Sequence, residues 1–155
     1  VFREFKLPKE TEMPTYVFTS ALDLGLEVRA KIVESLTSIH NVEAKAPRYF
    51  VQVIFNKIEP GSIYIGGVPA SPEHIWVRAD IRSGRTNEQK SRMRERSMRE
   101  TGKILKISKE VIWVYICDVP ADNIAEFGAI LPQPGSEKAW LASLPEGLRK
   151  KLDNF

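Results

Sequence analysis

Strand-like alternation and helix-like spacing succeed one another twice along this chain. A strand from Pro14 to Thr19 is followed by a segment in which Val28, Ile32, Leu36 and Ile39 recur at helical spacing. That spacing predicts a helix from about Leu26 to His40 with one buried stripe. A β-rich run from Tyr49 to Asn56 comes next, then Ile58-Glu59-Pro60-Gly61 and Gly66-Gly67. The second round reads as a strand from Ile75 to Arg82, a helix from about Asn87 to Lys103 and a strand from Val111 to Cys117, then Val119-Pro120 and Gly128. Thr86 stands three residues before Gln89, the spacing of a capping box, and so marks the start of the second helix.

A strand–helix–strand unit of this length makes parallel neighbours with a right-handed crossover. Two such units, at about residues 14–60 and 74–120, build a four-stranded sheet with both helices on one face. The fold class is therefore α/β, an α+β two-layer sandwich with one sheet face uncovered. Ile75, Val77, Ala79 and Ile81 alternate with Trp76, Arg78, Asp80 and Arg82, so the apolar set belongs under the helices and Arg82 on the open side. By the same alternation Tyr115 joins Arg82 there. A face carrying Trp76, Trp113, Phe50 and Ile54 is too apolar for water, which predicts burial against other copies in a homo-oligomer. From Leu131-Pro132-Gln133-Pro134-Gly135 onward the chain reads as a loop, with a short helix near Glu146–Leu152.

Composition narrows the function classes. The 155 residues are 43% hydrophobic and 28% charged, an ordinary globular mix, and fit one domain spanning 14–155 behind an N-terminal extension, 1–13. No apolar run approaches the ~18 residues of a membrane helix. Val1-Phe2-Arg3-Glu4-Phe5-Lys6 carries charges where a secretory leader needs an apolar stretch, so a cytoplasmic protein is expected. One cysteine, Cys117, and two histidines leave no intrachain disulfide and argue against a metal site. The net charge of +3 suggests at most a preference for anionic partners. The basic run Lys90-Ser91-Arg92-Met93-Arg94-Glu95-Arg96 is interrupted by glutamates and lacks stacking aromatics, so it reads as a solvated helix face and no nucleic-acid partner is expected. No glycine-rich phosphate loop is present, and no cofactor is expected.

Few residues remain that could carry chemistry. Arg82 and Arg85 flank a Ser-Gly turn at a strand end, where two guanidiniums can converge on one carboxylate; solvated loop arginines are the alternative. Tyr115 could donate its phenol to a substrate oxygen, or simply sit at a subunit seam. Glu126, among apolar neighbours in Ile124-Ala125-Glu126-Phe127-Gly128, could have the raised pKa of a general base, or be solvated. His40 closes the first predicted helix, where a cationic imidazole would cap the dipole.

These residues fall inside a longer pattern. Pro14-Thr15-Tyr16, Ala46-Pro47-Arg48-Tyr49-Phe50-Val51-Gln52-Val53-Ile54-Phe55-Asn56, His74-Ile75-Trp76-Val77, Ile81-Arg82-Ser83-Gly84-Arg85-Thr86, Trp113-Val114-Tyr115-Ile116, Glu126-Phe127-Gly128 and Ser143-Leu144-Pro145-Glu146-Gly147-Leu148-Arg149 resemble the cis-3-chloroacrylic acid dehalogenase group of the tautomerase superfamily. The corynebacterial hydratase homologue of that group looks nearest. The resemblance implies a homotrimer of tandem β-α-β units and activity on a small unsaturated or 2-oxo carboxylic acid. It implies roles by position: Pro14 as catalytic proline, His40, Arg82 and Arg85 as holders of the substrate carboxylate, Glu126 as activator of water, and Tyr115 as its helper. The segment between Pro14 and His40 is one residue shorter than in the family.

Pro14 also departs from the family pattern, in which the proline is the first residue and its nitrogen a free secondary amine. Here Met13 precedes it. An acylated proline nitrogen has neither an N–H nor a basic lone pair. Three readings follow: Met13 is a physiological start whose removal frees Pro14; the extension makes the domain a non-catalytic carboxylate-binding or assembly protein; or the extension folds back and different chemistry results.

Overall fold

The computed structural model describes residues 14–155; the extension 1–13 lies outside the described residues. Its elements run β1 (Thr15–Ser20), α1 (Leu26–Ala44), β2 (Gln52–Lys57), a small hairpin of β3 (Tyr64–Ile65) and β4 (Val68–Pro69), β5 (Ile75–Arg82), α2 (Asn87–Leu105) and β6 (Ile112–Val119). A second small hairpin, β7 (Ala125–Glu126) and β8 (Ala129–Ile130), leads to two short helices, α3 (Glu137–Ser143) and α4 (Glu146–Leu152). The main sheet has the order β2-β1-β5-β6. β1 and β2 are parallel, as are β5 and β6, and β1 meets β5 antiparallel at the centre.

The period-two pattern decides which face is covered. Tyr16 and Phe18 of β1 and Ile75, Val77, Ala79 and Ile81 of β5 point under the helices and meet Ile32, Leu36 and Ile39 of α1 and Met93 of α2. Helix α2 opens on the expected capping box, with the Thr86 hydroxyl accepting from the Gln89 N–H and the Gln89 side chain accepting from the Thr86 N–H. Several basic residues on its solvent-facing side make ion pairs. Lys90 bonds Asp118 at 2.8 Å, and Arg92 and Arg96 both reach Glu43 of α1, at 2.7 and 2.9 Å.

Three expectations are corrected. Helix α1 runs past His40 to Ala44 and stops at Lys45, whose φ of 59° is left-handed, so His40 lies inside the helix and does not cap it. The β-rich run at 49–56 begins instead as a 3₁₀ turn, Arg48–Phe50, after Pro47. That turn removes Phe50 from the exposed sheet face and buries it, 3% exposed, in a second core with Leu131, Trp140, Leu144 and Leu152. The loop that starts at Leu131 ends at Ser136, where α3 follows instead of further loop, held by Trp140, whose ring lies 5.7 Å from Phe50 and whose indole N–H donates to the Ile130 carbonyl at 2.9 Å. The remaining open face does stay apolar, with Ile54, Trp113 and Tyr115 each more than a third exposed. Among the described residues, no helix is long and apolar enough to cross a membrane.

Candidate functional site

The antiparallel register of the central strands gathers the candidate residues at one end of the sheet. Thr15 lies opposite Asp80, so Pro14 and the Arg82 end of β5 share that end. Pro14 is buried, and its carbonyl accepts from the Gln52 N–H at 3.0 Å. The turn Ser83-Gly84-Arg85 then carries the chain into α2. Gly84 has a φ of +128°, and an added Cβ would come within 3.2 Å of Pro134 Cγ. Only glycine allows this turn while the C-terminal segment presses against it.

The arginines are not solvated. Arg82 is 1% exposed and Arg85 8%. One outer nitrogen of Arg82 donates to the Pro132 carbonyl at 2.7 Å, the other to Glu137 Oε1 at 2.6 Å. Arg82 therefore does lie on the sheet face opposite the helices, but under the C-terminal segment instead of in an open pocket. Glu137 was not a sequence candidate. Its signal, an acid one residue after Ser136 at a helix start, is too common to single it out.

His40 meets the same end from beneath. Tyr16 of β1 and His40 share a hydrogen bond of 3.0 Å between the phenol oxygen and Nδ1. Burial, with the nearby Arg85 charge adding to it, pulls the imidazole pKa from 6.5 down to about 3. His40 is thus neutral at physiological pH and can offer an N–H or a lone pair, not a charge. This overturns the cationic helix cap.

Glu126 stands at the end of β7, just before the tight turn Phe127-Gly128, both at positive φ. It lines a cleft of about 340 Å³ with Tyr49, Phe50 and Gln52. Gln52 is also the residue that holds the Pro14 carbonyl, so the cleft adjoins the Pro14 end. Burial raises the Glu126 pKa above the ordinary carboxylate value, as a water-activating base requires.

Tyr115 is the exception. It pairs with Arg78 whereas Arg82 pairs with Val119, four residues on and so roughly 13 Å along the strand. Its ring is 47% exposed, edge-on to Trp76 at 5.7 Å. Within one chain it does not join the arginines. Among the described residues, no group of three or more His, Cys, Asp or Glu side chains could hold a metal ion.

Tandem β-α-β units in a β2-β1-β5-β6 sheet, with arginines, an imidazole and a carboxylate gathered at the proline end, define a protein of the tautomerase fold. The crystal structure of a member of the cis-3-chloroacrylic acid dehalogenase family is 39% identical, with a TM-score of 0.87 over 91% of this chain and 99% of that one. A fused 4-OT wild type asymmetric trimer shares the fold at 19% identity, with a TM-score of 0.69 over 80% of this chain and 98% of its own. A family model described as "Putative oxalocrotonate tautomerase enzyme" matches residues 13–143, and no curated protein matches the chain. The chain belongs to the tautomerase superfamily, in its cis-3-chloroacrylic acid dehalogenase group.

Proposed function

We propose that this protein hydrates small unsaturated carboxylic acids, 3-haloacrylates and propynoate among them, or tautomerises small 2-oxo acids, and that it does so when the Pro14 nitrogen is free. The observation that carries the reading is the cluster at the Pro14 end: buried Arg82 and Arg85, neutral His40 and a Glu126 carboxyl of raised pKa. Arg85 and Arg82 take the substrate carboxylate, with the His40 N–H as a neutral donor. Glu126 accepts a proton from water as the water oxygen attacks C3, and the secondary ammonium of Pro14 gives its proton to C2. With a 3-haloacrylate the product is a halohydrin, which loses hydrogen halide to give malonate semialdehyde; with propynoate it is the enol of the same aldehyde.

Tyr115, exposed and remote from Arg82 in its own chain, serves this reaction only if a second subunit brings it to the cleft. An apolar open face with Ile54 and Trp113 exposed favours such self-association, as a homotrimer in this reading. The family match begins at Met13, directly before Pro14, which supports the form in which Pro14 is the first residue. The second reading, a carboxylate-binding or assembly protein, rests on the Met13–Pro14 amide, which leaves the proline nitrogen no proton to give.

Turnover of propynoate and cis-3-chloroacrylate by two purified forms, one starting at Val1 and one at Pro14, separates the readings. Activity in the Pro14 form alone supports the proline mechanism. Activity in both removes the free proline from it. Silence in both forms, with propynoate still bound and binding lost in Arg85→Ala, leaves the binding protein.

A further inference from the structure

The Arg82 guanidinium faces a carboxylate of its own chain. Glu137 Oε1 accepts from Arg82 at 2.6 Å, with the Arg82 side chain 1% and the Glu137 side chain 11% exposed. The Glu137 carboxylate is itself fixed, accepting from the Gly135 N–H through both oxygens at 3.2 and 3.1 Å. The Pro132 carbonyl holds the neighbouring nitrogen of the same guanidinium. Two anchors on the C-terminal segment therefore set the plane of Arg82, which β5 alone, ending at that residue, would leave to rotate. A carboxylate held this close in so dry a place also offsets one positive charge at the end of the sheet where the anionic substrate is to bind.

We propose that Glu137 is a positioning residue that fixes Arg82 and, by offsetting its charge, restricts the pocket to monoanionic acids against dianionic ones. This rests on the reading of Arg82 and Arg85 as the carboxylate-binding pair. A second carboxylate on the ligand would meet Glu137 across a few ångströms of low-dielectric protein. Removing the Glu137 charge without moving the backbone turns that repulsion into net attraction for a dianion and changes a monoanion's binding less.

The test uses the full chain, in which the acylated Pro14 keeps binding separate from proline-driven turnover. Its probes are cis-crotonate and maleate at pH 8, a matched pair differing by one carboxylate. In the unaltered chain cis-crotonate binds more tightly than maleate, and Arg85→Ala loses both. In Glu137→Gln the preference shifts toward maleate by tenfold or more, while Glu137→Asp, which keeps the charge, retains the original preference even where both affinities fall. Glu137→Ala makes the same charge change without a buried amide and serves if the glutamine variant does not fold. A merely structural role would weaken both ligands in proportion in every variant, and that result overturns the proposal. Binding that survives Arg85→Ala overturns the pocket reading beneath it; Arg85-dependent binding with an unshifted preference overturns the role of Glu137 alone.

Discussion

His40 offers the sharpest quantitative check, because its burial couples stability to pH. The folded imidazole has a pKa of about 3, against 6.5 when exposed. As the pH falls below 6.5 the unfolded chain takes up this proton first, so the contribution of neutral His40 to stability is complete above that value. It is lost progressively between about 6.5 and 3. At pH 5 the unfolded side chain is protonated about thirty to one and the folded one hardly at all, a difference of about 2 kcal/mol. The figure barely depends on the folded pKa so long as that stays below ~4, because the unfolded side chain then dominates. His40→Gln keeps a hydrogen-bonding partner for Tyr16 and removes the titration. Urea unfolding of both proteins at pH 8 and pH 5, at one protomer concentration, isolates the histidine, since other titrating groups cancel between them. The natural chain should lose about 2 kcal/mol more than the variant on going to pH 5. Equal losses would mean that His40 is solvated or already charged, and the neutral-donor role argued for it would fall.

Three further outcomes bear on the site's supports and its base. Trp140→Ala empties the second core beside Phe50 and strands the Ile130 carbonyl, and should cost about 3–5 kcal/mol in urea unfolding; a loss below ~1 kcal/mol would mean the C-terminal segment is not an integral layer. Thr86→Ala removes the capping box at the start of α2 and should cost about 1 kcal/mol, read from the same denaturation midpoint. In the Pro14 form, propynoate hydration should rise with pH through a pKa above the ordinary carboxylate value, because burial raises that of Glu126. Glu126→Gln should lower kcat by roughly 10²–10⁴ and remove that limb of the profile, whereas an unchanged limb would assign it to another group.

The sheet half of the candidate site was legible in the sequence and the C-terminal half was not. β5 falls on Ile75–Arg82 as the alternation predicts, and the capping box fixes the start of α2, so the strand–turn–helix junction that carries Arg82 and Arg85 follows from local pattern alone. The seven residues of α3 have no such autonomy. Two prolines and a glycine precede it, its N-cap Ser136 makes no side-chain hydrogen bond to the helix, and it exists because Trp140 finds Phe50 some ninety residues earlier in the chain. Phe50 was misread for the reciprocal reason: alternation assigns a residue to a sheet face, but Pro47 had already turned the chain into a 3₁₀ step before the strand began. The Arg82–Glu137 pair was invisible because it joins residues fifty-five apart, one of them on an element that periodicity does not predict.

The internal repeat raises the question of why the candidate site stands at one end of the sheet and not at both. The antiparallel centre relates the two units, so that Thr19 lies opposite Trp76 just as Thr15 lies opposite Asp80. Leu26 opens α1 as Asn87 opens α2, and Tyr16 and Val77 both point under the helices, which makes Ile75 the positional counterpart of Pro14. The hairpins correspond as well: Ile65 stands before the Gly66-Gly67 turn where Glu126 stands before Phe127-Gly128, and each pairs with the first residue of its return strand. The chemistry does not correspond. The turn from β1 into α1 reads Ala21-Leu22-Asp23-Leu24-Gly25, with an acid and no cation, where the turn from β5 into α2 supplies Arg85. Ile65 cannot activate water. Ile75 carries no titratable group, and the neighbouring His74 packs edge-on against Trp113 at 5.1 Å, with burial lowering its pKa. The same backbone is thus built twice, and only the end where the arginine turn meets the Glu126 hairpin and the C-terminal segment can gather a carboxylate clamp and a base. Arg82 needs both, since the turn positions its backbone and Pro132 and Glu137 position its guanidinium.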